Sequence, residues 1–215
     1  MNLENALTDA ALNWDEGKLK FLCKEALSVQ KMAPEALLKI IGNIMQAIGQ
    51  KYESGEFFLP ELIGSSNTIK TAIDEVIDPI IKAAGSTRKT FGKVILGTVE
   101  GDVHSIGKDL VASFLFANGF EVINLGVEIP AHIFIEQAEK AQAQIIGLSA
   151  LLSISMGFQR QVIDELKRRG IREKYKVIIG GSPTSSGWAE EIGADGWADD
   201  AIEAVEIAKK LMNII

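Results

Sequence analysis

The first third of the chain alternates apolar and polar residues with the period of an α-helix. One helix is predicted to begin at Pro34, because proline is favoured in a first helical turn. Its apolar stripe consists of Leu38, Ile41, Met45, Ile48 and Tyr52. A second stripe begins at Pro60 and consists of Leu62, Ile63, Ile69, Ile73, Val76, Ile77, Ile80 and Ile81. With two shorter helices before Pro34, residues 1–84 are predicted to form a four-helix bundle.

After about residue 90 the pattern changes to short runs of consecutive apolar residues separated by helical stretches. The runs are KVILGTVE, EVINLGV, QIIGLSAL and KVIIGG, with a weaker fifth strand at Gly196–Trp197. The helical stretches cover residues 107–118, 131–141, 156–169 and 201–212. Such runs are typical of strands buried on both faces of a parallel sheet. Residues 91–215 are therefore predicted to form a five-stranded parallel, doubly wound α/β domain, joined to the bundle by a polar linker at 85–90.

Charge and composition narrow the functional classes. The net charge is −7, and no basic run is longer than Lys167–Arg169, so neither nucleic acid nor an anionic membrane is an expected partner. The first twenty residues lack the basic start and apolar centre of a signal peptide, and no segment has the apolar length of a membrane span. The single Cys23 cannot form an internal disulfide and is interpreted as a packing residue. These features predict a cytoplasmic protein.

Ligands of doubly wound sheets bind beyond the carboxyl ends of the strands. In the loop after the first predicted strand, His104 follows Asp102 by two residues. A metal-bound histidine usually donates its other ring proton to a carboxylate, and Asp102 is well placed to accept it. A capping aspartate beside a solvated histidine explains this loop equally well.

One histidine cannot build a zinc site, which needs three or four protein ligands. His132 follows Pro130 at a predicted helix start and is interpreted as a surface residue. A macrocyclic metal centre brings its own equatorial ligands and needs one axial residue. A corrin or a haem is therefore the metal group that His104 alone could serve.

Two common motifs are matched only in part. Gly101 and Gly107 enclose five residues rather than the four of a phosphate-binding P-loop, and Lys108 is followed by Asp109. The segment Gly147–Leu151 lacks the closing glycine of a hydrolase nucleophile elbow. Nucleoside triphosphate binding and hydrolase activity are accordingly not expected.

The loops after the third and fourth strands also carry candidate residues. Ser149 and Ser155 offer hydroxyls among apolar neighbours, which could orient a buried polar ligand or cap a helix. Gly180 and Gly181 lack β-carbons at a strand end, so a second backbone or a flat ligand could approach closely, although a plain turn also explains them.

Taken together, Asp102-x-His104-x-x-Gly107, Ser149-x-Leu151 and Gly180-Gly181 resemble the signature of B12-binding domains. The segment YESGEFFLPEL, from Tyr52 to Leu62, resembles the helical cap of the same proteins. The match covers nearly the whole chain. In length and arrangement the chain resembles the small corrinoid proteins of methanol, methylamine and methoxy-aromatic methyltransferase systems, and the cobalamin-binding module of methionine synthase.

The resemblance implies a cobalamin or related corrinoid bound with its benzimidazole tail detached from cobalt and buried in the α/β domain. It implies that His104 ligates the cobalt, that Asp102 receives the ring proton, and that Ser155 extends the relay. The implied cofactor contacts are Asp102, Val103, His104, Ser105, Ile106, Gly107, Ser149, Leu151, Ser153, Ser155, Gly180 and Gly181, with cap contacts at Tyr52, Leu59 and Leu62. The chain departs from the usual family pattern at Ser153, where relatives often carry threonine, and at Ser66-Asn67-Thr68 in the cap.

The implied function is that of a methyl carrier acting only with partner proteins. Cobalt(I) would accept a methyl group from a donor methyltransferase, and an acceptor methyltransferase using tetrahydrofolate or coenzyme M would remove it. A reductive activase is a further implied partner, and the cap would move about residues 85–90. The alternatives are a B12-dependent sensor, for which the chain lacks room and basic charge for a DNA-binding domain, and the cobalamin-binding subunit of an adenosylcobalamin mutase, which generally lacks a cap.

Overall fold

The computed structural model describes residues 2–85, 88 and 90–214, which form two compact units divided at residue 90. The first unit is helical and the second is α/β. The linker predicted at 85–90 includes positions 86, 87 and 89, which lie outside the described residues. None of the helices in the described ranges combines the length and the apolar character needed to cross a bilayer.

The helical unit is built from four helical rods, as the periodicity predicts. Its helices are α1 (Leu3–Leu12), α2 (Glu16–Ser28), α3 (Pro34–Glu53), α4 (Leu59–Ala72) and α5 (Asp78–Ala83). A π-helical turn at Ile73–Ile77 joins α4 to α5, so the two form one continuous rod. Each of α1 to α4 packs against the other three, which confirms the four-helix bundle.

Two positions illustrate how the buried faces of this unit depart from the predicted stripes. Leu37, not Leu38, is fully buried in α3, and Ile80 is 41% exposed. The π turn explains Ile80, because its extra residue rotates every following side chain relative to the core. Pro79 lies just after this turn. Because proline has no N–H, it cannot donate to an earlier carbonyl of the helix.

Cys23 is buried in α2. Its burial raises the pKa of the thiol to about 11, so the nucleophilic thiolate is scarce at neutral pH. This environment agrees with a packing role for Cys23.

The second unit contains the predicted five-stranded parallel sheet. Its strands are β1 (Lys93–Thr98), β2 (Glu121–Asn124), β3 (Ile145–Ser149), β4 (Lys176–Gly180) and β5 (Gly196–Ala198). They are all parallel and lie in the order β2-β1-β3-β4-β5. From β1 the chain connects to β2, on one side of β1, and then crosses over to β3 on the other side. The strand order therefore reverses between β1 and β3, and ligands of such sheets bind at this switch point.

In the part of the chain that the structure describes, five α-helices flank the sheet. They are α6 (Ile106–Ala117), α7 (Ala131–Ala141), α8 (Met156–Arg168), α9 (Ser186–Ile192) and α10 (Ala201–Leu211). The pattern did not predict α9, because seven residues containing Gly187 do not repeat an apolar stripe. Its start is fixed by the Ser185 hydroxyl, which accepts a hydrogen bond of 3.2 Å from the N–H of Trp188.

The two faces of the sheet are packed differently. Ile95 and Ile146 point to one face, where side chains of α7, α8 and α9 complete a continuous hydrophobic core. Val94 and Ile145, one residue earlier on the same strands, point to the other face and line a cavity together with side chains of α6 and α10. The two-residue period of the strands therefore separates a filled core from a cavity.

Candidate functional site

Asp102, in the loop after β1, is buried and accepts five hydrogen bonds. Its Oδ1 accepts from Nδ1 and the backbone N–H of His104, at 2.8 and 3.1 Å. Its Oδ2 accepts from the N–H groups of Leu151 and Leu152, at 2.7 and 3.1 Å, and from the Ser155 hydroxyl, at 2.8 Å. The carboxylate therefore joins the loops that follow β1 and β3, on both sides of the switch point.

These hydrogen bonds determine the ionisation of Asp102. Burial alone would raise the pKa of the carboxyl group, but the bonds from the His104 ring and N–H, from Ser155 and from Leu151 outweigh it. The pKa of Asp102 therefore lies well below its ordinary value, and the group stays a carboxylate that only accepts. Nδ1 of His104 must then carry the proton that it shares with Asp102.

His104 is presented to the surface by this arrangement. Its side chain is 46% exposed, and Nε2 has no hydrogen-bond partner among the described residues. With the proton held on Nδ1, a neutral imidazole keeps the lone pair of Nε2 free for a metal. The backbone carbonyl of His104 is fixed by the buried Thr98, whose hydroxyl donates to it at 2.8 Å.

A cavity of about 680 Å³ begins beside His104 and extends between the sheet and the helices α6 and α10. It is lined by nine of the predicted contact residues, which are Val103, His104, Ser105, Ile106, Gly107, Ser149, Leu151, Gly180 and Gly181. A volume of this size is typical of small-molecule and cofactor sites.

The other predicted contact residues do not line the cavity. Ser155 is buried behind Asp102, and Ser153 is exposed in the turn before α8. Tyr52, Leu59 and Leu62 belong to the helical unit, in which Leu62 is fully buried while Tyr52 and Leu59 are partly exposed. Their contacts with a cofactor stay predictions.

Neighbouring backbone leaves little room for a β-carbon on either of the two glycines at the end of β4. A β-carbon on Gly181, whose φ is +118°, would lie 1.8 Å from the carbonyl oxygen of Ala150. One on Gly180 would lie 3.0 Å from the carbonyl oxygen of Ala198. The sequence left several explanations open for these glycines. The geometry supports one of them, the close approach of a second backbone.

Several apolar side chains around His104 are unusually exposed. They are Val103 at 62%, Ile106 at 69%, Leu151 at 42%, Leu152 at 38% and Ile154 at 81%. Exposed apolar side chains beside a polar, oriented imidazole are suited to contact with a flat, largely apolar macrocycle.

Sequence reasoning missed several residues that hold the site together. Nε2 of Gln159, in α8, donates to the carbonyl oxygens of Leu148 and Gly180 and so ties β3 to β4. Buried Lys108 donates to Asp109 at 2.5 Å and to Asn124 at 2.7 Å. Contacts between distant segments leave no local pattern, although a lysine in the apolar first turn of α6 is a detectable irregularity.

The donor set fits a corrinoid. Among the described residues, no three His, Cys, Asp or Glu side chains come together as ligands for a metal ion. His104 offers one oriented nitrogen, which is what a metal already ringed by a macrocycle requires. The adjoining cavity offers room for an appended group of such a cofactor.

The comparisons with known proteins agree with this geometry. The B12 binding domain family matches residues 92–206, and a second B12 binding domain family matches residues 3–77. A corrinoid protein of Desulfitobacterium hafniense is 38% identical over 212 residues, covering 99% of this chain and 98% of the relative. A trimethylamine corrinoid protein of Methanosarcina acetivorans is 37% identical over 204 residues, covering 95% of this chain and 94% of the relative.

Solved structures give the same assignment. The methanol:cobalamin methyltransferase complex of Methanosarcina barkeri contains a chain that matches with a TM-score of 0.85 and 25% identity, over 98% of this chain and 80% of that one. The monomethylamine corrinoid protein of the same organism matches with a TM-score of 0.55 and 34% identity, over 95% and 96% of the two chains. The chain therefore belongs to the family of B12-binding corrinoid proteins.

Proposed function

We propose that this chain carries a methyl group on a bound corrinoid, receiving it from a donor methyltransferase and delivering it to an acceptor methyltransferase. The observation that carries the proposal is the Asp102–His104 pair, with its 2.8 Å hydrogen bond, at the switch point of the sheet and at the mouth of the cavity. Relatives named as trimethylamine and dimethylamine corrinoid proteins support it.

In this proposal Nε2 of His104 would bind the cobalt, and Asp102 would fix the orientation of the imidazole ring through its bond to Nδ1. Ser149, Leu151, Gly180 and Gly181 line the cavity that would receive the nucleotide tail. The cobalt centre of a bound corrinoid supplies the methyl-accepting chemistry. The protein contributes the ligand, its orientation and the apolar surroundings of the ring.

The same residues would control a proton. The imidazole of His104 carries a proton on Nδ1, through which it donates a hydrogen bond to Oδ1 of Asp102. Asp102 does not take that proton, because its five hydrogen bonds keep the pKa of the carboxyl group well below the ordinary value. Ser155 supports this by donating to Oδ2 of Asp102. The Nδ1 proton therefore stays on the imidazole, and Nε2 keeps its lone pair for the metal.

The proposal also assigns a role to each part of the chain. Residues 1–84 would act as the cap, 85–90 as the linker and 91–215 as the corrinoid-binding domain, which the two separate family matches support. The partners would be a substrate-specific donor methyltransferase, an acceptor methyltransferase using tetrahydrofolate or coenzyme M, and a reductive activase. A cytoplasmic location is proposed too, supported by the free thiol of Cys23.

Electron paramagnetic resonance of the full chain loaded with cobalamin tests the proposal. In the cobalt(II) state, the nitrogen bound to cobalt splits the signal, and ¹⁵N-labelling of the protein's histidines changes that splitting only when the nitrogen comes from histidine. The label should change the splitting in the unmodified protein and in His132→Ala, whose substituted residue is exposed in α7. It should have no effect in His104→Ala.

Two results would refute the proposal. The first is benzimidazole nitrogen on the cobalt of the unmodified protein, and the second is failure of the folded chain to retain cobalamin. Once histidine ligation is established, transfer of a ¹⁴C-methyl group from donor methyltransferase to the protein, and from the protein to an acceptor, measures the carrier activity directly.

A further inference from the structure

The inner end of the cavity lies near the amino ends of the strands. Val94 and Ile145 stand at the beginnings of β1 and β3, and Leu115 and Ala208 stand near the ends of α6 and α10. Connecting helices run antiparallel to the strands of such sheets, so these four side chains meet at the same depth. From Val94 to Thr98 the strand rises roughly 13 Å, so the cavity reaches far below the edge where His104 lies.

Among the described residues that line it, this inner end offers no hydrogen-bonding side chain. Val94, Ile145, Leu115 and Ala208 are aliphatic and at most 3% exposed. The backbone there is already occupied, because Val94 pairs with Ile145 in the parallel ladder. The carbonyl oxygen of Leu115 accepts from the N–H of Phe120, and that of Ala208 accepts from the N–H of Met212. A group seated at this depth would contact hydrocarbon on every side.

The polar side chains of the cavity belong to its outer rim. They are His104, Ser105, Lys108, Ser149, Ser182, Asp199 and Asp200, and each lies in a strand-to-helix loop, at the end of a strand or in a first helical turn. The one buried ammonium among them, on Lys108, is already bound to Asp109 and Asn124. The cavity thus changes from polar at the mouth to apolar inside.

We infer that this cavity selects among corrinoids by their lower base, favouring benzimidazole-type and phenol-type bases over purines. The inference rests on the proposed function, in which the nucleotide tail enters the cavity. An adenine base has two more ring nitrogens and one more amino group than dimethylbenzimidazole. Each of these groups would lose water on entry and find no partner among Val94, Ile145 and Leu115.

The expected preference is measurable. An unsatisfied buried polar group weakens binding by about tenfold or more. The full chain should therefore bind the adenine-containing corrinoid at least about tenfold more weakly than cobalamin, which differs from it only in the base. A phenol-type corrinoid, whose base has no ring nitrogen, should bind at least as tightly as cobalamin.

Competitive binding of the cobalamin and adenine forms, followed by their visible absorption, tests the inference. Val94→Thr places a hydroxyl at the inner end with little change in shape and should narrow the ratio of the two affinities. The matched control is Val177→Thr, since Val177 is equally buried but belongs to the core on the opposite face of the sheet. It should leave the ratio unchanged.

Each outcome has one meaning. Equal affinity for the two forms, or preference for adenine, overturns the selectivity while leaving the proposed function intact. Failure to bind either form overturns the proposed function itself. If Val94→Thr and Val177→Thr change the ratio of the two affinities equally, the base does not lie at the inner end of the cavity. If Val94→Thr does not fold, the comparison in the unmodified chain still decides the selectivity.

Discussion

The hydroxyl of Ser155 donates a hydrogen bond of 2.8 Å to Oδ2 of Asp102, although 53 residues separate them in the chain. The same oxygen accepts from the N–H groups of Leu151 and Leu152. One carboxylate therefore holds the loop after β3 with one oxygen and orients His104 with the other. It links the folding of the switch point to the presentation of the imidazole.

Asp102→Asn is expected to destabilise the protein by about 1 to 3 kcal/mol. An amide has one accepting oxygen, so its nitrogen would face either the donors of the β3 loop or the donors of His104. Two donors of His104 or three donors of the β3 loop would lose their acceptor, depending on which way the amide turned. Urea unfolding followed by circular dichroism measures the loss.

The control for this substitution is Asp164→Asn. Asp164 is exposed on α8, and the same chemical change there should alter the free energy of unfolding by less than about 0.5 kcal/mol. Similar losses for the two variants would contradict the structural role assigned to Asp102.

Acid should remove the contribution of Asp102 to stability. Its pKa is lowered in the folded protein, so the unfolded chain takes up a proton first and the contribution is complete only above the ordinary pKa near 4. As the pH falls from about 5 towards the lowered pKa, the contribution shrinks. The difference in unfolding free energy between the unmodified protein and Asp102→Asn should shrink in parallel. A difference that stays constant down to pH 3 would contradict the lowered pKa.

The sequence predicted the architecture well because the architecture depends on local patterns. Consecutive apolar residues such as Ile145 and Ile146 face opposite sides of the sheet, and both are buried. The four rods of the helical unit follow from apolar periodicity in the same way. The deviation at Ile80 comes from a π turn, whose single extra residue no three-and-four spacing anticipates.

The contacts within the site could be predicted only in part from local sequence patterns. Asp102 and His104 are two residues apart, so their contact could be predicted from the loop itself. The bonds from Ser155 and from Gln159 join segments brought together only by the fold, and Gln159 carries no motif at all. The resemblance to B12-binding domains identified Ser155, whereas nothing in the pattern identified Gln159.

Gly181→Ala should destabilise the protein by about 3 kcal/mol or more. The added β-carbon would lie 1.8 Å from the carbonyl oxygen of Ala150, and a φ of +118° is itself unfavourable for alanine. Backbone cannot move aside as a flexible side chain can, so the ends of β3 and β4 would have to separate. Thermal unfolding measures the effect.

Gly157→Ala is the matched control for Gly181→Ala. Gly157 lies in α8, and a β-carbon there meets nothing within 4 Å. Alanine is favoured over glycine in helices, so this variant should be neutral or slightly more stable. Equal destabilisation by both substitutions would show that crowding at Ala150 is not the cause.

Lys108→Met should destabilise the protein by about 1 to 3 kcal/mol, because it leaves the partly buried carboxylate of Asp109 without its cation. The Lys108 side chain is 1% exposed and donates to Asp109 at 2.5 Å. Burial tends to raise the pKa of Asp109, but the bonds from Lys108 and Asn124 outweigh it and lower that pKa. The ionised Asp109 should therefore stabilise the unmodified protein above about pH 4, and Lys108→Met should lack this contribution.

A double-mutant cycle separates this ion pair from the packing of the lysine stem. If the lost charge pairing dominates, Lys108→Met combined with Asp109→Asn should be more stable than Lys108→Met alone, since the unpaired carboxylate is gone. Lys176→Met, at an exposed position that begins β4, is the control and should change stability by less than about 0.5 kcal/mol. Simple additivity in the cycle would instead assign the loss to packing around the stem of Lys108.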